Sequence, residues 1–465
     1  YKHFLEKIFK NARYLLSEKE EKIMALKEKS SYSLWIKMLS EFLSKEEAEV
    51  FDEDGMRRKK SFSEIFSLMS STNKNVRDTA ADAINAILLK HSDVAEAELN
   101  AILHDKKVND ELRGYERADK HRHVVDDIDT SVVDTMLMAV RNKFEVAQNY
   151  YRLKAKLFGV EKLEYHERNV AYDAVDKEYS YEKSLQLIYK VFNNLDKTFS
   201  TILQNFVENE QIDVYPKKGK TDGAFCAHFL KKQPVYILLN HTNNLRDVTT
   251  LAHELGHGIN DELMKLEQHA LNFDTTLSTA EVASTFMEDF VLQELMHDAD
   301  EETALSICMT KLNDDISTIF RKVACYSFEQ ELHKVFRETG FVSKETIGKL
   351  FQKHMAAYMG ECVEQSAGSE NWWVYWGHIR RYFYNYSYAM GLLISKALQR
   401  NVKTDKNFIE NVKQFLSAGT SQSPQDIFKA MNIDISQKSF WDEGIKEIET
   451  LLTETEKLAN KLGKI

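Results

Sequence analysis

Residues 253–257 read His-Glu-Leu-Gly-His, and this run restricts the fold more than any other feature of the sequence. Two histidines four residues apart lie on one face of a helix, about one turn apart, so both rings can bind one small cation. The glutamate after the first histidine can then reach a water molecule on that cation. This HExxH pattern is typical of zinc metallopeptidases, in which the histidines are ligands and the glutamate is the general base.

The flanking sequence predicts that the motif lies on a helix from Val248 to about Leu266. Apolar residues recur along one stripe of this helix, whereas His253 and His257 fall on the opposite face. A histidine that is simply buried in a core would lie on the apolar stripe. The remaining alternative is a solvated polar face that binds nothing.

A catalytic zinc ion needs a third protein ligand and an open position for water. Glu281, 24 residues after His257, is the best candidate. A competing interpretation is a capping box, in which the Glu281 carboxylate reaches back to the N–H of Ser278. Glu288, seven residues further on and on the same helical face, could orient a ligand histidine, and a surface carboxylate is an equal alternative.

Helix breakers are scarce, with 3 Pro and 16 Gly in 465 residues, so helices should dominate the fold. Residues 1 to about 70 predict three or four helices. The clear strand pattern lies between residues 211 and 239, directly before the HExxH helix, and predicts a small sheet. An edge strand at residues 223–227 could pair with an extended peptide. The charged segment 114–129 is predicted to be a solvated loop.

The overall charge and the cysteines restrict the possible partners. A net charge of −11 disfavours a nucleic-acid partner, and no run of 18 apolar residues is present that could span a membrane. Four scattered cysteines are typical of reduced thiols, so we expect a cytoplasmic protein. Because the chain opens directly on an amphipathic segment, we expect that a preceding segment of the same protein is missing.

Several longer segments resemble one enzyme family. They are GAFCAHF at 223–229, PVYILLN at 234–240, DVTTLAHELGHGIN at 247–260, EVASTFMED at 281–289 and GHIRRYFYNYSYAMG at 377–391. With these segments the chain resembles the oligoendopeptidase F branch of the thimet oligopeptidase family, over roughly residues 1–455.

The resemblance implies a mainly α, two-lobed helical metallopeptidase with a deep channel and a small β-sheet beside the HExxH helix. Residues 1–70 would form an N-terminal helical domain, truncated at its start, and residues 71–465 the catalytic domain. One zinc ion per chain would be bound by His253, His257 and Glu281, with Glu254 as the general base. The expected substrates are short, unstructured oligopeptides that are cleaved internally.

The aromatic segment near the C-terminal end would supply groups that stabilise the oxyanion. The resemblance implies His378 and one of four tyrosines, favouring Tyr386 and then Tyr384 over Tyr382 and Tyr388. Hydroxyl and imidazole N–H groups can donate to a developing oxyanion. The alternative is that this aromatic stripe belongs to the core.

Two alternative functions stay open. A zinc carboxypeptidase or dipeptidyl carboxypeptidase could use the same scaffold and would act only at a free C terminus. A non-catalytic metal-binding or peptide-binding protein is the other alternative. The intact Glu254 argues against it, because metal binding needs the histidines but not the base.

Overall fold

The computed structural model describes residues 1–172, 178–221 and 223–465. Helices form most of the described chain, which contains 20 α-helices and five short strands. The prediction of a mainly α fold with a small sheet beside the HExxH helix is thereby confirmed. None of the helices in these ranges combines the length and apolarity that a bilayer crossing requires.

The first part of the chain contains the predicted helices and a hairpin. Its elements are α1 (Lys2–Ala12), α2 (Glu18–Glu28), α3 (Leu34–Ser44), β1 (Glu47–Phe51), β2 (Arg57–Ser61) and α4 (Phe62–Leu68). The antiparallel hairpin β1–β2 escaped the sequence prediction because β2, with the sequence RRKKS, lacks apolar alternation. Cross-strand ion pairs contribute to its pairing instead, such as Lys59 Nζ to Glu47 Oε2 at 2.6 Å.

Five helices follow, and one of them corrects the prediction for residues 114–129. They are α5 (Lys74–Lys90), α6 (Ser92–Arg113), α7 (Lys120–Val125), α8 (Thr130–Arg141) and α9 (Phe144–Leu157). The expected solvated loop contains α7, and Asp119, His123 and Asp126 are buried in it. These polar groups are buried because they find partners elsewhere in the chain. Tyr326 Oη, for example, lies 3.0 Å from both His123 Nε2 and Asp119 Oδ2.

The predicted small sheet lies next to the HExxH helix. It follows α10 (Tyr181–Leu195) and α11 (Lys197–Glu208) and contains β3 (Ile212–Asp213), β4 (Phe225–Ala227) and β5 (Tyr236–Leu238). The strand order is β3–β5–β4, with β3 parallel and β4 antiparallel to β5. β4 is therefore an edge strand, as the sequence predicts for residues 223–227.

The rest of the chain is helical. Its α-helices are α12 (Leu245–Glu267), α13 (Leu277–His297), α14 (Glu301–Asp315), α15 (Lys322–Thr339), α16 (Lys344–Met359), α17 (Tyr386–Thr404), α18 (Ile409–Ser417), α19 (Pro424–Ala430) and α20 (Lys438–Lys461). A π-helical turn, Ile316–Arg321, joins α14 to α15. Another π-helical turn is Lys29–Ser33, and the 3-10 turns are Tyr165–Asn169, Gly360–Cys362, Ser369–Asn371, Gly377–Arg381 and Lys406–Phe408.

One continuous hydrophobic core connects these elements. Within it, α12 packs against α13, and α13 packs against α17. These three helices carry most of the side chains of the candidate site. The predicted division into two lobes around a deep channel stays a prediction.

Candidate active site

Three side chains able to bind a metal converge where α12 packs on α13. His253 and His257 come from α12, and Glu281 comes from α13. Glu281 Oε2 lies 3.4 Å from His253 Nε2 and 3.8 Å from His257 Nε2. Ligand atoms at tetrahedral zinc, about 2 Å from the metal, lie roughly 3.3 Å apart. The spacing of these three side chains therefore fits one small divalent cation.

The glycine inside HELGH allows this close approach of the two helices. A β-carbon at Gly256 would lie 2.6 Å from Ser284 Cα and 2.7 Å from Ala283 O. Both are backbone atoms, so no larger residue fits without moving α13. Glu281 lies less than one turn before Ser284, and the close contact therefore holds it opposite the histidines.

The capping-box interpretation of Glu281 is wrong. α13 begins at Leu277 with Thr276 as its N-cap residue, so Ser278 lies within the first turn of the helix. The Ser278 hydroxyl lies 3.0 Å from Thr276 Oγ1. The Glu281 carboxylate instead faces the two histidines and accepts a hydrogen bond from Ser284 Oγ at 3.2 Å.

The electrostatics of this cluster favour a cation. Burial alone lowers the pKa of His253, but hydrogen bonds to Glu281 and Glu288 outweigh it and raise the pKa to about 10. Burial, followed by the charge of His253, lowers the pKa of His257 to about 4. Burial opposes the ionisation of Glu281, but its histidine partners lower its pKa to about 2. The carboxylates of Glu281 and Glu288 thus stabilise a positive charge next to His257, whose neutral imidazole can act as a metal ligand.

Glu288 contacts the outer nitrogen of His253. Its Oε2 lies 3.1 Å from His253 Nδ1, which leaves Nε2 directed toward Glu281. A carboxylate in this position fixes the ring orientation and the tautomer of a ligand histidine. The alternative that Glu288 is a plain surface carboxylate does not fit this contact.

Glu254 lies beside the ligands and contacts the edge strand. Its side chain is buried, and the backbone N–H of Cys226 in β4 is close enough to lower the pKa of its carboxyl group. Burial raises the pKa of Glu254 to about 7, with a contribution from Glu281 and against the influence of His253. A carboxyl group that titrates near neutrality can both accept and return a proton, as a general base must.

The aromatic segment forms an opposite wall, made of Trp376, His378, Tyr384 and Tyr388, which we call the aromatic wall. The rings of His378, Tyr384 and Tyr388 have centroids 5.5 to 5.9 Å apart. Burial, followed by the charge of Lys322, lowers the pKa of His378 to about 4, so its ring is neutral at pH 7.

Hydrogen bonds fix the tautomer of His378. The indole Nε1–H of Trp376 donates to His378 Nδ1 at 3.1 Å, and His378 Nε2 lies 3.2 Å from the Tyr388 hydroxyl oxygen. Because Nδ1 accepts, Nε2 carries the hydrogen of the neutral ring and donates it to Tyr388. The O–H group of Tyr388 is then left to donate to a different acceptor, and Tyr384 is one partner within its reach.

Tyr388 lies beside the metal ligands. α17 passes Glu281 at Gly391, where a β-carbon would be 3.1 Å from Glu281 Cβ. Tyr388 precedes Gly391 by three residues and so lies on the same face of α17. Burial, with contributions from Tyr384 and Glu281, raises the pKa of Tyr388, so its hydroxyl keeps its hydrogen.

Tyr386, which the sequence favoured, faces away from this site. It is fully buried, and its hydroxyl donates to Asp126 Oδ2 at 2.6 Å. Residues two positions apart on a helix point about 200° apart, so Tyr386 and Tyr388 have opposite surroundings. The structure therefore places Tyr388, and not Tyr386, on the side of the candidate metal ligands. The ring of Tyr384, the second choice, contacts the rings of His378 and Tyr388.

A second cluster of possible ligands, Asp78, His166 and Glu167, has comparable spacing. Protein cations already neutralise it. Arg77 Nη2 lies 2.9 Å from Glu167 Oε1, and Lys74 Nζ lies 3.0 Å from Asp78 Oδ1. These contacts make it a cluster of ion pairs, whereas the carboxylates beside His253 have no Lys or Arg partner in the described chain.

Sequence profiles of known families match both parts of the chain. The profile of peptidase family M3 matches residues 67–447, which include HELGH, Glu281 and the aromatic wall. The chain belongs to peptidase family M3. A second profile, Oligopeptidase F, matches residues 1–45 and confirms the predicted branch of the family. Membership of M3 makes the chain a metallopeptidase, as the sequence predicts.

Curated relatives and solved structures agree with this M3 assignment. Oligopeptidase PepF of Bacillus subtilis is 26% identical over 477 residues, covering 99% of this chain and 69% of the relative. An oligoendopeptidase F homolog of Borreliella burgdorferi is 25% identical, covering 98% of this chain and 77% of the relative. The crystal structure of oligoendopeptidase-F from Enterococcus faecium has the same fold, with a TM-score of 0.78 at 20% identity. The match covers 99% of this chain and 78% of that one.

Proposed function

We propose that this chain is a zinc-dependent endopeptidase that hydrolyses short, unstructured oligopeptides. The observation that carries the proposal is the convergence of His253, His257 and Glu281 within 4.8 Å, with Glu254 adjacent. One ion per chain would be bound by these three ligands. Zinc is the ion that this combination of two imidazoles and one carboxylate typically holds in a hydrolase.

Each residue has a role in peptide hydrolysis. When bound, zinc would supply a Lewis acid that polarises the scissile carbonyl and activates water. Glu254 accepts the proton of the attacking water and transfers it to the nitrogen of the leaving amine. Tyr388, which His378 holds in place, donates a hydrogen bond to the carbonyl oxygen as negative charge develops on it. Tyr384 packs against both rings and restricts their motion.

The edge strand β4 would align the substrate. An extended peptide can add to an exposed sheet edge through backbone hydrogen bonds. Because the backbone N–H of Cys226 acts on the Glu254 carboxyl group, β4 lies next to the general base, and a peptide on β4 would run past the ligands. Folded proteins do not present such an extended segment, which supports oligopeptides as the substrates.

The proposal includes the architecture that the resemblance implies. Residues 1–70 would form an N-terminal helical domain and residues 71–465 the catalytic domain, with the site in a channel between two lobes. All four cysteines are free thiols, and this supports a reducing compartment such as the cytoplasm.

Metal analysis combined with peptide cleavage tests the proposal. We expect about one zinc per chain and cleavage of an internally quenched peptide that is blocked at both ends. A chelator should abolish cleavage, and added zinc should restore it. Cleavage only of peptides with a free C terminus would instead identify a carboxypeptidase. Bound zinc without hydrolysis of any peptide would identify a non-catalytic binding protein.

Replacement of the third ligand tests the composition of the site. Glu281→Gln keeps the size of the side chain but removes the carboxylate, so we expect the zinc content to fall well below one per chain. Glu294→Gln on the same helix is the matched control, because its carboxylate pairs with Lys190 at the surface. Equal zinc content in both variants would contradict the ligand role of Glu281.

A further inference from the structure

Lys322 is a cation at the aromatic wall, and none of the described carboxylates pairs with it. Its Nζ lies 4.4 Å from the centroid of the Tyr388 ring and 5.8 Å from that of Trp376. The side chain is partly exposed. Within residues 1–172, 178–221 and 223–465, no carboxylate oxygen lies within 4 Å of Lys322 Nζ.

The local fold explains why Lys322 faces this wall. It is the first residue of α15, directly after the π-helical turn Ile316–Arg321. A π-helical turn has one more residue than an α-helical turn, which rotates the following side chains around the helix axis, and such turns are frequent at functional sites. Arg321 stacks on Trp376 at 4.5 Å, and the next residue, Lys322, covers Tyr388.

The surrounding acids leave the charge of Lys322 uncompensated. Glu329 is the acid that acts on it, but its carboxylate accepts hydrogen bonds from the Phe383 N–H and from Asn385 Nδ2, both at 2.6 Å. Burial raises the pKa of Glu329 to about 8, so it is mostly uncharged at pH 7. Burial, followed by the charge of Arg321, lowers the pKa of Lys322 to about 8, which leaves it mostly charged. A partly desolvated cation of this kind is stabilised strongly by an anionic ligand.

The wall also borders an open space. Tyr384 of the aromatic wall lines a cavity of about 550 Å³ together with Arg122 and Arg381, and acidic residues such as Asp105 and Asp110 line it as well. The guanidinium of Arg122 donates to the backbone oxygens of Arg381 and Tyr382. Arg381 is exposed to solvent, and its charge is therefore more strongly screened than that of Lys322.

We propose that Lys322 binds a carboxylate of the peptide substrate, close to the scissile bond. The carboxylate belongs to an aspartate or glutamate side chain or to the free C terminus. This inference rests on the proposed peptidase function. The position of this carboxylate follows from Tyr388. In the proposed mechanism the Tyr388 hydroxyl faces the scissile carbonyl, and Lys322 lies against the face of the same ring.

A set of quenched peptides tests the preference for a carboxylate. Peptides blocked at both ends carry one glutamate at each successive position around the scissile bond, and a matched set carries glutamine. A further pair differs only in a free or amidated C terminus. We expect the wild type to prefer one carboxylate position by about tenfold to a hundredfold in kcat/KM, as for a charge-assisted hydrogen bond.

Variants then assign the preference to Lys322. The measured quantity is the ratio of kcat/KM for the glutamate peptide to that for its glutamine counterpart, or for the acid to the amide. In Lys322→Met this ratio should fall to about one, and in Lys322→Arg most of it should return. Arg381→Gln should keep most of the preference. Lys403→Met removes an exposed lysine on α17, about 22 Å along the helix from Tyr388, and should not change the ratio.

The outcomes separate this inference from the proposed function. Hydrolysis of neutral and acidic peptides at equal rates by the wild type would overturn the carboxylate subsite and leave the peptidase proposal intact. An unchanged ratio in Lys322→Met, or an equal loss in Arg381→Gln, would also overturn it, because a general positive field would then be responsible. Failure to hydrolyse any peptide would count against the proposed function itself.

Discussion

The two walls of the site are constructed differently. The metal wall consists of α12 and α13, two regular helices whose candidate ligands are positioned by helical periodicity and by the contact at Gly256. The aromatic wall combines a 3-10 turn, Gly377–Arg381, with the first turn of α17. Between these turns, Tyr382 and Phe383 have positive φ angles of 45° and 56°. Regular backbone thus organises one wall, and irregular backbone organises the other.

The aromatic wall depends on side chains that bond to its irregular backbone. Residues other than glycine in the left-handed region each cost about 1–3 kcal/mol, which the surrounding structure must offset. Glu329 accepts the Phe383 N–H from one side, and Arg122 donates to the Tyr382 oxygen from another. The metal wall should therefore be sensitive to changes inside the site, whereas the aromatic wall should also be sensitive to buried changes outside it.

The largest expected effect is at the metal wall. Glu254→Gln removes the general base, and we expect kcat to fall by about 10²–10⁴-fold. The zinc content should stay near one per chain, because neither histidine nor Glu281 changes. Glu267→Gln, an exposed position at the end of α12, is the control. A parallel loss of zinc and activity in Glu254→Gln would contradict the separation of base from ligands.

The aromatic wall predicts a contrast between two neighbouring tyrosines. Tyr388→Phe removes the proposed oxyanion donor and should lower kcat by about 10²–10³-fold with little loss of stability. Tyr386→Phe leaves the buried Asp126 without its donor, so it should reduce stability by about 1–3 kcal/mol and change kcat only severalfold. Thermal unfolding and steady-state kinetics of both variants measure this. A large loss of kcat in Tyr386→Phe and a small one in Tyr388→Phe would favour Tyr386 as the oxyanion residue.

A smaller effect is expected behind the metal ligands. Glu288→Gln weakens the partner of His253 Nδ1 without removing a ligand, so the affinity for zinc should fall by about 10–100-fold. Competition with a chelator of known affinity measures the change. The loss should be smaller than in Glu281→Gln. If Glu288→Gln binds zinc as tightly as the wild type, the His253 ring is oriented by the packing of α12 and α13 and not by Glu288.

The smallest effect concerns the support of the aromatic wall. Glu329→Gln removes one of the two acceptor oxygens behind the turn, and we expect a loss of about 1–3 kcal/mol in unfolding free energy. Zinc affinity should not change, because the metal wall is separate. Glu331→Gln, whose carboxylate pairs with Lys353 near the surface, should cost at most about 1 kcal/mol. Equal stability of the two variants would show that the turn does not depend on Glu329.

The convergence of the three candidate ligands follows from the sequence because the pattern is largely local. Helical periodicity places His253, Glu254 and His257, and the spacing of Glu281 is sufficient to nominate it as a third ligand. The capping box failed as an alternative because α13 has Thr276, rather than Ser278, as its N-cap residue. Such a shift of two residues at a helix end is beyond what sequence patterns resolve.

The aromatic wall and two other regions depend on contacts that are distant in sequence. Tyr386 and Tyr388 have similar neighbours along the chain, and only Asp126 and Glu281 distinguish their surroundings. The charges of segment 114–129 are buried because Tyr326, about 200 residues away, bonds to them. The hairpin β1–β2 pairs largely charged residues and so carries no apolar alternation. None of these partners can be identified from the local sequence.

The contact at Gly256 links helix packing to the choice of ion. Because the backbone of α13 rests on this residue, the separation of Glu281 from the two histidines is set by the distance between two helix axes. The ionic radius that the site accepts is therefore a property of the scaffold as much as of the ligands. A methyl group at position 256 would push α13 and Glu281 away from the two histidines and shift the preference of the site toward larger ions, although the three candidate ligands are chemically unchanged.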